Sequence, residues 1–315
     1  MDNFNDSLGN NLNDSYSNDF SDNLSDSFSS DFSNNINDSF SSDFSNNLSD
    51  SFSNNFNDSN DYSDNFNEVK KSFSMQAGKF AAYHMSKSEY TDYLIRKIAA
   101  DGNEHALEVA AGTCICARAL SPFVKDIECL DLTEEMLAEG KRLAQESQLE
   151  NISFKIGDAG KLPYDDCSFD LVITRLSLHH FVNPEIPFKE MKRVLKQGGK
   201  LVVWDMMAAD DELRDVDDSI ERMRDPSHMR ILSQGELEKM FQDCFELKAE
   251  EVTLVPVNLQ SWLDLTGTPS DVRKQIISLM NAELEGGNKT GFYPYKKGYD
   301  TFFDHRWLLL IGVKL

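Results

Sequence analysis

The chain has 315 residues, of which 40% are hydrophobic and 27% charged, and its formal net charge at pH 7 is −23. This length allows one large domain or two small ones. An acidic chain without a basic cluster argues against nucleic-acid binding. No stretch approaches the length of a membrane span, and the N-terminus lacks the basic region and apolar core of a secretory signal. With five cysteines, an odd number that favours reduced core thiols, we expect a cytoplasmic protein.

Residues 1–68 have a composition of their own. They carry thirteen Asp, Glu68 and no Lys or Arg, so they supply more than half of the net charge. Asn, Asp, Ser and Phe dominate, and an apolar residue stands at every fourth position from Phe4 to Phe56. A period of four drifts around a helix, and Ser, Asn and Asp favour turns over helix interiors. We therefore predict a disordered repeat tail, either a low-complexity expansion or a segment that binds a partner.

An ordered domain is predicted over residues 69–315. Its first elements are two amphipathic helices, at 70–85 and 89–100. Next, residues 105–110 predict a buried strand, 110–113 a small-residue turn into a helix, and 127–130 a second strand that stops at a carboxylate. This strand, helix and strand form one βαβ unit, whose ligand crevice is expected at the carboxyl ends of its strands.

The turn after the first strand selects the type of ligand. A dinucleotide site needs several glycines so that backbone amides can approach a pyrophosphate, but this turn has one, Gly112. The first strand also contains an acid, Glu108, and the second ends at Asp131. A carboxylate at Glu108 would repel a phosphate but would suit a cation. A nicotinamide oxidoreductase would share the βαβ unit and the second acid, so it remains an alternative, although this turn lacks the glycines that such an enzyme needs.

The rest of the chain alternates strands and helices. Helices are predicted at 133–148, 184–195, 233–245 and 270–284, and strands at 152–156, up to about 174, at 200–205, 247–257 and 307–313. Because strand-helix-strand crossovers are right-handed, a parallel sheet grows on both sides of the first strand. Residues 258–305 form an insertion before the last strand, which is read either as a lid or substrate pocket or as structural cover.

Three motifs are more specific. The first, Glu108-x-Ala110-x-Gly112, together with Asp131, resembles motif I and the ribose-binding acid of class I S-adenosylmethionine-dependent methyltransferases. The string GDAGKLPYDDCSFDLVITRLSLHHF, which begins at Gly157, is similar to that family's GDA-x-x-LPF-x-x-x-SFD-x-V signature. The run RVLKQGGKL resembles a third family pattern. The resemblance is nearest the small-molecule branch around the ubiquinone and menaquinone C-methyltransferases. The motifs of this chain resemble their methyltransferase type 11 domain.

The resemblance implies a fold and a cofactor. The fold is α/β and Rossmann-like, with a seven-stranded, mostly parallel sheet in the order 3-2-1-4-5-7-6, whose last strand is antiparallel. The cofactor is S-adenosylmethionine, which carries a sulfonium and an ammonium but no phosphate. The reaction is transfer of the sulfonium methyl to a small-molecule acceptor, at carbon or oxygen. The alternative outside catalysis is a cofactor-binding adaptor whose repeat tail binds a partner.

The same resemblance assigns cofactor-binding residues. The methionine end is expected near Glu108, Ala110 and Gly112, with the backbone carbonyl of Arg175 at the ammonium. Asp131 would accept from both ribose hydroxyls. The remaining residues expected at the cofactor are Leu132 and Met136 beside the adenine, Asp158 and Ala159 reading its edge, and Tyr83 at the carboxylate. Taken singly, Asp131 and Asp158 are also explained as a helix cap and a turn residue, and Tyr83 as a packed aromatic.

Catalytic and substrate-binding residues are less sharply indicated. His179 and His180 follow the fourth strand at the crevice, and His180 is the candidate general base or substrate-orienting donor, against a reading in which the pair only packs. His228 and 290–292 are candidates for substrate contact. The pattern predicts no metal site.

Overall fold

The structure, a computed structural model, describes residues 59–85 and 88–315, with side chains at 63–80 and 89–315. Most of the predicted repeat tail, residues 1–58, therefore lies outside the described residues. The rest of the chain belongs to one compact unit that extends to Leu315.

Nine helices and eight strands make up the described part of the chain. The helices are α1 Ser59–Met85, α2 Ser88–Ile98, α3 Ile115–Leu120, α4 Glu134–Glu146, α5 Glu185–Val194, α6 Arg214–Arg224, α7 Gln234–Phe241, α8 Leu259–Thr266 and α9 Ser270–Leu284. The strands are β1 His105–Val109, β2 Asp126–Asp131, β3 Ile152–Ile156, β4 Phe169–Arg175, β5 Leu195–Met207, β6 Phe245–Asn258, β7 Tyr295–Lys297 and β8 Asp300–Lys314.

All eight strands form one sheet. Its order is β3-β2-β1-β4-β5-β8-β6, and the short β7 pairs with β8 as an addition. Strands β1 to β5 pair in parallel, whereas β8 runs antiparallel to both β5 and β6. The predicted fold class and strand order are therefore confirmed, with β7 as an extra edge piece that sequence reading missed.

The sheet buries an apolar layer on each face. Alternate residues of a strand point to opposite faces, and accordingly Ala106 and Ile173 belong to one core cluster and Leu107 and Val172 to another. Helices α2 and α3 contribute to the first cluster, and α5 and α7 to the second. Because Glu108 alternates with Leu107, it lies on the face covered by α2 and α3.

The N-terminal helix differs from its prediction. It begins at Ser59 and not at Lys70, so residues 59–68, which were assigned to the tail, are its first turns. It packs against α4 and α8. Packing on these helices, which local composition does not reveal, is what makes a segment rich in Asn, Asp and Ser helical.

Helix starts are set by two different devices. At α7, Ser233 and Glu236 form a capping box, with each side chain accepting from the other residue's backbone N–H. At α4, Thr133 is the N-cap residue, but its side chain makes no capping hydrogen bond. Its backbone N–H instead donates to Asp131.

The insertion before β8 has its own apolar cluster. Trp262, Leu263, Ile276 and Phe292 pack there, together with Phe303 of β8. Within residues 59–85 and 88–315, no helix is long and apolar enough to cross a membrane.

Candidate active site

A cleft opens at the carboxyl ends of β1, β2 and β4. It measures about 970 Å³ including the space at its mouth, which is within the range of roughly 300–1,000 Å³ typical of small-molecule sites. Residues from the loops after these strands form its floor, and residues of α1 line it as well. The predicted crevice is therefore present.

The loop after β1 brings backbone close to the cleft. Ala110, Gly112 and Cys114 all have positive φ, of 52°, 53° and 56°, a conformation that costs energy for residues other than glycine. A Cβ placed on Gly112 would lie 3.2 Å from Met136 Cε. The absence of a side chain at Gly112 thus keeps the space between this loop and α4 open.

Glu108 is buried at the start of α3. Its carboxylate accepts hydrogen bonds from the backbone N–H groups of Cys116, at 3.3 Å, and Ala117, at 2.7 Å. Burial raises the pKa of Glu108 to about 7, although these hydrogen bonds and the charge of Arg175 oppose the rise. The N–H groups that a pyrophosphate would need are therefore occupied by an acid, which removes the basis for the nicotinamide alternative.

Asp131 ends β2 and fixes the two adjoining loops. One carboxylate oxygen accepts from Gly112 N at 2.7 Å and the other from Thr133 N at 2.8 Å. Burial raises the pKa of this carboxyl, while the backbone hydrogen bonds counteract the rise. Because each oxygen has two lone pairs, both retain an acceptor site after these contacts are made.

The loop after β3 supplies the next acid. Asp158 accepts from Gly160 N at 2.7 Å, and the buried Ala159 follows it. Both line the cleft, as do Leu132 and Met136. The structure therefore brings the four residues predicted around an adenine to the same part of the site.

Arg175, at the end of β4, is 8% exposed and lines the cleft. Its guanidinium carbon lies 4.9 Å from the ring centre of Trp307 and 5.5 Å from that of Trp204. Burial lowers the pKa of this guanidinium, against the opposing charges of nearby acids. Sequence reading assigned a role only to the backbone of Arg175 and did not foresee this side-chain position.

The loop that carries the two histidines is organised by Asp205 at the carboxyl half of β5. Asp205 accepts from the backbone N–H groups of Ser177 and Leu178, at 2.9 and 2.6 Å, and contacts His179 Nδ1. Burial disfavours a charged His179, but the Asp205 carboxylate outweighs it and raises the pKa of His179. His179 is therefore a buried structural partner of Asp205 and does not line the cleft.

His180 lines the cleft, and its ring Nδ1 is held from behind. Nδ1 lies 3.0 Å from Ser227 O and 3.2 Å from Ser227 Oγ. The Ser227 hydroxyl donates to Asp225 at 2.6 Å. Burial and the neighbouring His179 lower the pKa of His180 to about 3, so the ring is neutral near pH 7.

Helix α1 contributes one wall of the cleft, through residues that sequence reading did not assign to the site. Its residues lining the cleft are Asn65, Phe66, Val69, Phe73 and Phe80. The sequence does contain a signal for this helix. The apolar residues are spaced strictly four apart up to Phe56, whereas beyond Tyr62 their spacing alternates between three and four, as on one face of a helix. The ring of Phe73 packs edge-on against His180, with 5.0 Å between the ring centres. The side chain of Tyr83 lies outside the described residues, so its predicted contact is not tested.

Four residues predicted to contact substrate lie elsewhere. His228 is buried against Asp218, with 2.7 Å between Nε2 and Oδ1. Thr290 and Phe292 are buried around α9, and neither they nor Gly291 lines the cleft. Segment 258–305 as a whole supplies no lining residue. Its predicted role as a lid stays a prediction.

The donor set of the cleft fits S-adenosylmethionine. Asp131 offers buried acceptor oxygens for a pair of hydroxyls, and Glu108 adds an acid whose charge is compatible with a sulfonium and an ammonium. The side chains around Leu132 and Met136 provide apolar surface for a flat base. A cationic, phosphate-free nucleoside is thus compatible with the residues present.

Comparison with known proteins agrees with this fit. The family model described as Methyltransferase domain matches residues 107–203. YcgJ of Bacillus subtilis, an uncharacterized methyltransferase, is 34% identical over 233 residues, which cover 73% of this chain and 92% of YcgJ. The demethylmenaquinone methyltransferase of Clavibacter sepedonicus is 38% identical over 109 residues, or 34% of this chain and 43% of that protein.

The fold agrees as well. The crystal structure of YcgJ superposes with a TM-score of 0.65 at 29% identity, covering 72% of this chain and 98% of YcgJ. The family predicted from the motifs is confirmed by these matches. The chain belongs to the S-adenosylmethionine-dependent methyltransferases.

Proposed function

We propose that this methyltransferase acts on a small, largely apolar acceptor, which it methylates at carbon or oxygen. S-adenosylmethionine supplies an activated methyl group when it is bound, so alignment of donor and acceptor provides most of the rate. The similarity to demethylmenaquinone methyltransferases, which are named for a small-molecule acceptor, supports this class of substrate.

The cofactor end of the site is assigned to residues on β1, β2 and β3. Asp131 would accept from both ribose hydroxyls with its two unused lone pairs, while Gly112 and Thr133 hold the carboxylate in position. Asp158 and the backbone of Ala159 would bind the adenine edge. Glu108 would offset the positive charge of the methionine end, and the Arg175 carbonyl would accept from the ammonium.

The acceptor end is assigned to the space between α1 and the loop after β4. Phe66, Phe73 and Phe80 from α1 and Phe181 from the loop line it. Four aromatic side chains provide flat apolar walls that exclude water and suit a planar acceptor.

The observation that carries the proposal is the pair of contacts between His180 Nδ1 and the two oxygens of Ser227, from which the tautomer of His180 follows. Burial alone would raise the pKa of Asp225, but Arg224 and the hydrogen bonds from Ser227 lower it, so Asp225 is ionised and only accepts. The Ser227 hydroxyl donates to Asp225. Both Ser227 oxygens facing His180 must then accept, which places the ring proton on Nδ1. Nε2 is left unprotonated and can accept a hydrogen bond from an acceptor hydroxyl, which orients the acceptor for methyl transfer.

The test is incubation of the protein with methyl-labelled S-adenosylmethionine and a metabolite extract, followed by mass spectrometry of labelled products. In His180→Gln we expect the rate of formation of the labelled product to fall about 10²-fold, with unchanged affinity for S-adenosylhomocysteine. His105→Gln is the control, because His105 lies at the amino end of β1 and pairs with Asp126. Undiminished turnover in His180→Gln would refute the role assigned to His180, and the absence of any labelled product would favour the adaptor alternative.

A further inference from the structure

Arg175 is a buried charge without a hydrogen-bonding partner. It is 8% exposed, and among the described residues it makes no hydrogen bond and no ion pair. Its Nε is fully enclosed and has no hydrogen-bond partner in the described part of the chain. Buried guanidinium groups are normally paired, because leaving one unpaired forfeits its hydration without compensation. This position therefore requires a physical explanation.

The surroundings of Arg175 hold the guanidinium in place but do not satisfy it. The rings of Trp204 and Trp307 pack against it at 5.5 and 4.9 Å, and aromatic faces favour a cation without accepting its N–H groups in the way a carboxylate does. Glu108 and Asp205 attract the charge from a distance. However, Glu108 is engaged with the start of α3, and Asp205 with the loop after β4.

The terminal nitrogens have access to the cleft. Nε is among the enclosed polar atoms of the described chain, whereas the two terminal nitrogens are not. Since Arg175 lines the cleft, this is the side from which a ligand can reach them. β4 lies on the opposite side of β1 from β2, so Arg175 and Asp131 end strands about 10 Å apart at the usual spacing.

We propose that the Arg175 side chain binds the carboxylate of a ligand in the cleft. Its planar set of donors matches the two oxygens of a carboxylate. Two sources have this chemistry: the methionine carboxylate of the cofactor and an acidic group on the methyl acceptor. This inference rests on the proposed function, and it adds an anion-binding group that the proposed function does not use.

The experiment compares two ligands by isothermal titration calorimetry. S-adenosylhomocysteine carries the carboxylate, and its decarboxylated analogue keeps the amine but lacks it. If the cofactor is the source, Arg175→Met should bind S-adenosylhomocysteine about tenfold to hundredfold more weakly than the unmodified protein, with unchanged affinity for the analogue. Arg175→Lys, which keeps the charge but not the planar donors, should recover part of the loss. Arg142→Met is the matched control, because Arg142 is exposed on α4 and pairs with Glu139 and Glu146.

The remaining outcomes are also decisive. If Arg175→Met leaves the affinity for both ligands unchanged but the labelled extract loses its carboxylate-bearing products, the inference is supported and the acceptor is the source of the carboxylate. Equal weakening for both ligands, or no change in binding and products, overturns it. Thermal unfolding without ligand gives an independent readout. Arg175→Met should melt at or above the melting temperature of the unmodified protein, because the substitution removes a buried charge that has no partner in the ligand-free protein. A purely structural arginine would instead lower the melting temperature when it is removed. If the unmodified protein binds neither ligand, the proposed function fails instead.

Discussion

Cofactor affinity should depend on pH through Glu108. This carboxyl is 2% exposed at the floor of the cleft, and burial raises its pKa to about 7 in the ligand-free protein. A sulfonium and an ammonium favour its ionised form, so cofactor binding and loss of this proton are linked. The perturbation is Glu108→Gln, which keeps the shape and removes the titration.

The magnitude follows from the fraction of Glu108 that is ionised. With a pKa of about 7, about 3% is ionised at pH 5.5 and about 90% at pH 8. If only the ionised form binds S-adenosylmethionine, affinity falls about 30-fold between pH 8 and pH 5.5. In Glu108→Gln the affinity should be lower at pH 8 and nearly independent of pH.

The same shift predicts an opposite effect on stability. The pKa of Glu108 rises from 4.5 to about 7 on folding, so its contribution is fully present below pH 4.5 and is lost as pH rises through 7. The loss amounts to about 3 kcal/mol in the free energy of unfolding. The ligand-free Glu108→Gln protein should therefore gain stability relative to the unmodified protein over this pH window.

Calorimetric titration from pH 5.5 to 8.5 measures the binding, and repeating it in buffers of different ionisation enthalpy counts the protons released. Glu146→Gln, on the exposed face of α4, is the control that should retain the slope. A flat pH profile in the unmodified protein, or the same slope in Glu108→Gln, would refute the reasoning.

Further changes test the geometry of the site. Asp131→Ala should weaken binding of S-adenosylhomocysteine about 100-fold, because it removes the acceptor that also fixes Gly112 and Thr133; an affinity within a factor of three of the unmodified value in calorimetry would contradict this. Gly112→Ala should lower the free energy of unfolding by about 1–2 kcal/mol, since φ is +53° and Met136 is 3.2 Å from the added Cβ. Gly78→Ala, with open space around it, should instead be neutral or stabilising by up to about 1 kcal/mol in denaturant unfolding. A chain that begins at residue 59 should bind S-adenosylhomocysteine like the full chain, whereas one that begins at residue 69 should bind it more weakly, because it lacks the first turns of α1; equal affinities would show that residues 59–68 do not contribute to cofactor binding.

The sequence by itself determined the fold class and, through the motifs that resemble a known family, the strand order and the family. Buried strands, a single-glycine turn and acids at strand ends are local patterns, and a parallel sheet brings strand ends together whatever else the chain does. For this reason Glu108, Gly112, Asp131 and Asp158 could be placed in one cleft from sequence. Helix α9 was also predicted with the bounds that it has.

Only the tertiary structure decided which other groups reach the cleft. Ser72 on α1 donates to Asp225, 153 residues away, at 3.0 Å, and this same acid accepts from Ser227, which contacts His180. Nothing in local spacing indicates such a contact. The composition of residues 59–68 predicted a tail, yet they are the first turns of α1.

Arg175 illustrates the limit most clearly. The alternation of β4 predicts which face its side chain occupies, but its burial depends on Trp204 from β5 and Trp307 from β8. The pattern of a strand indicates which face of the sheet a side chain occupies. It does not indicate whether a charged group on that face has a hydrogen-bond acceptor within reach. That depends on side chains from strands far apart in sequence, because hydrogen bonds act over about 3 Å and are made only once the sheet has assembled.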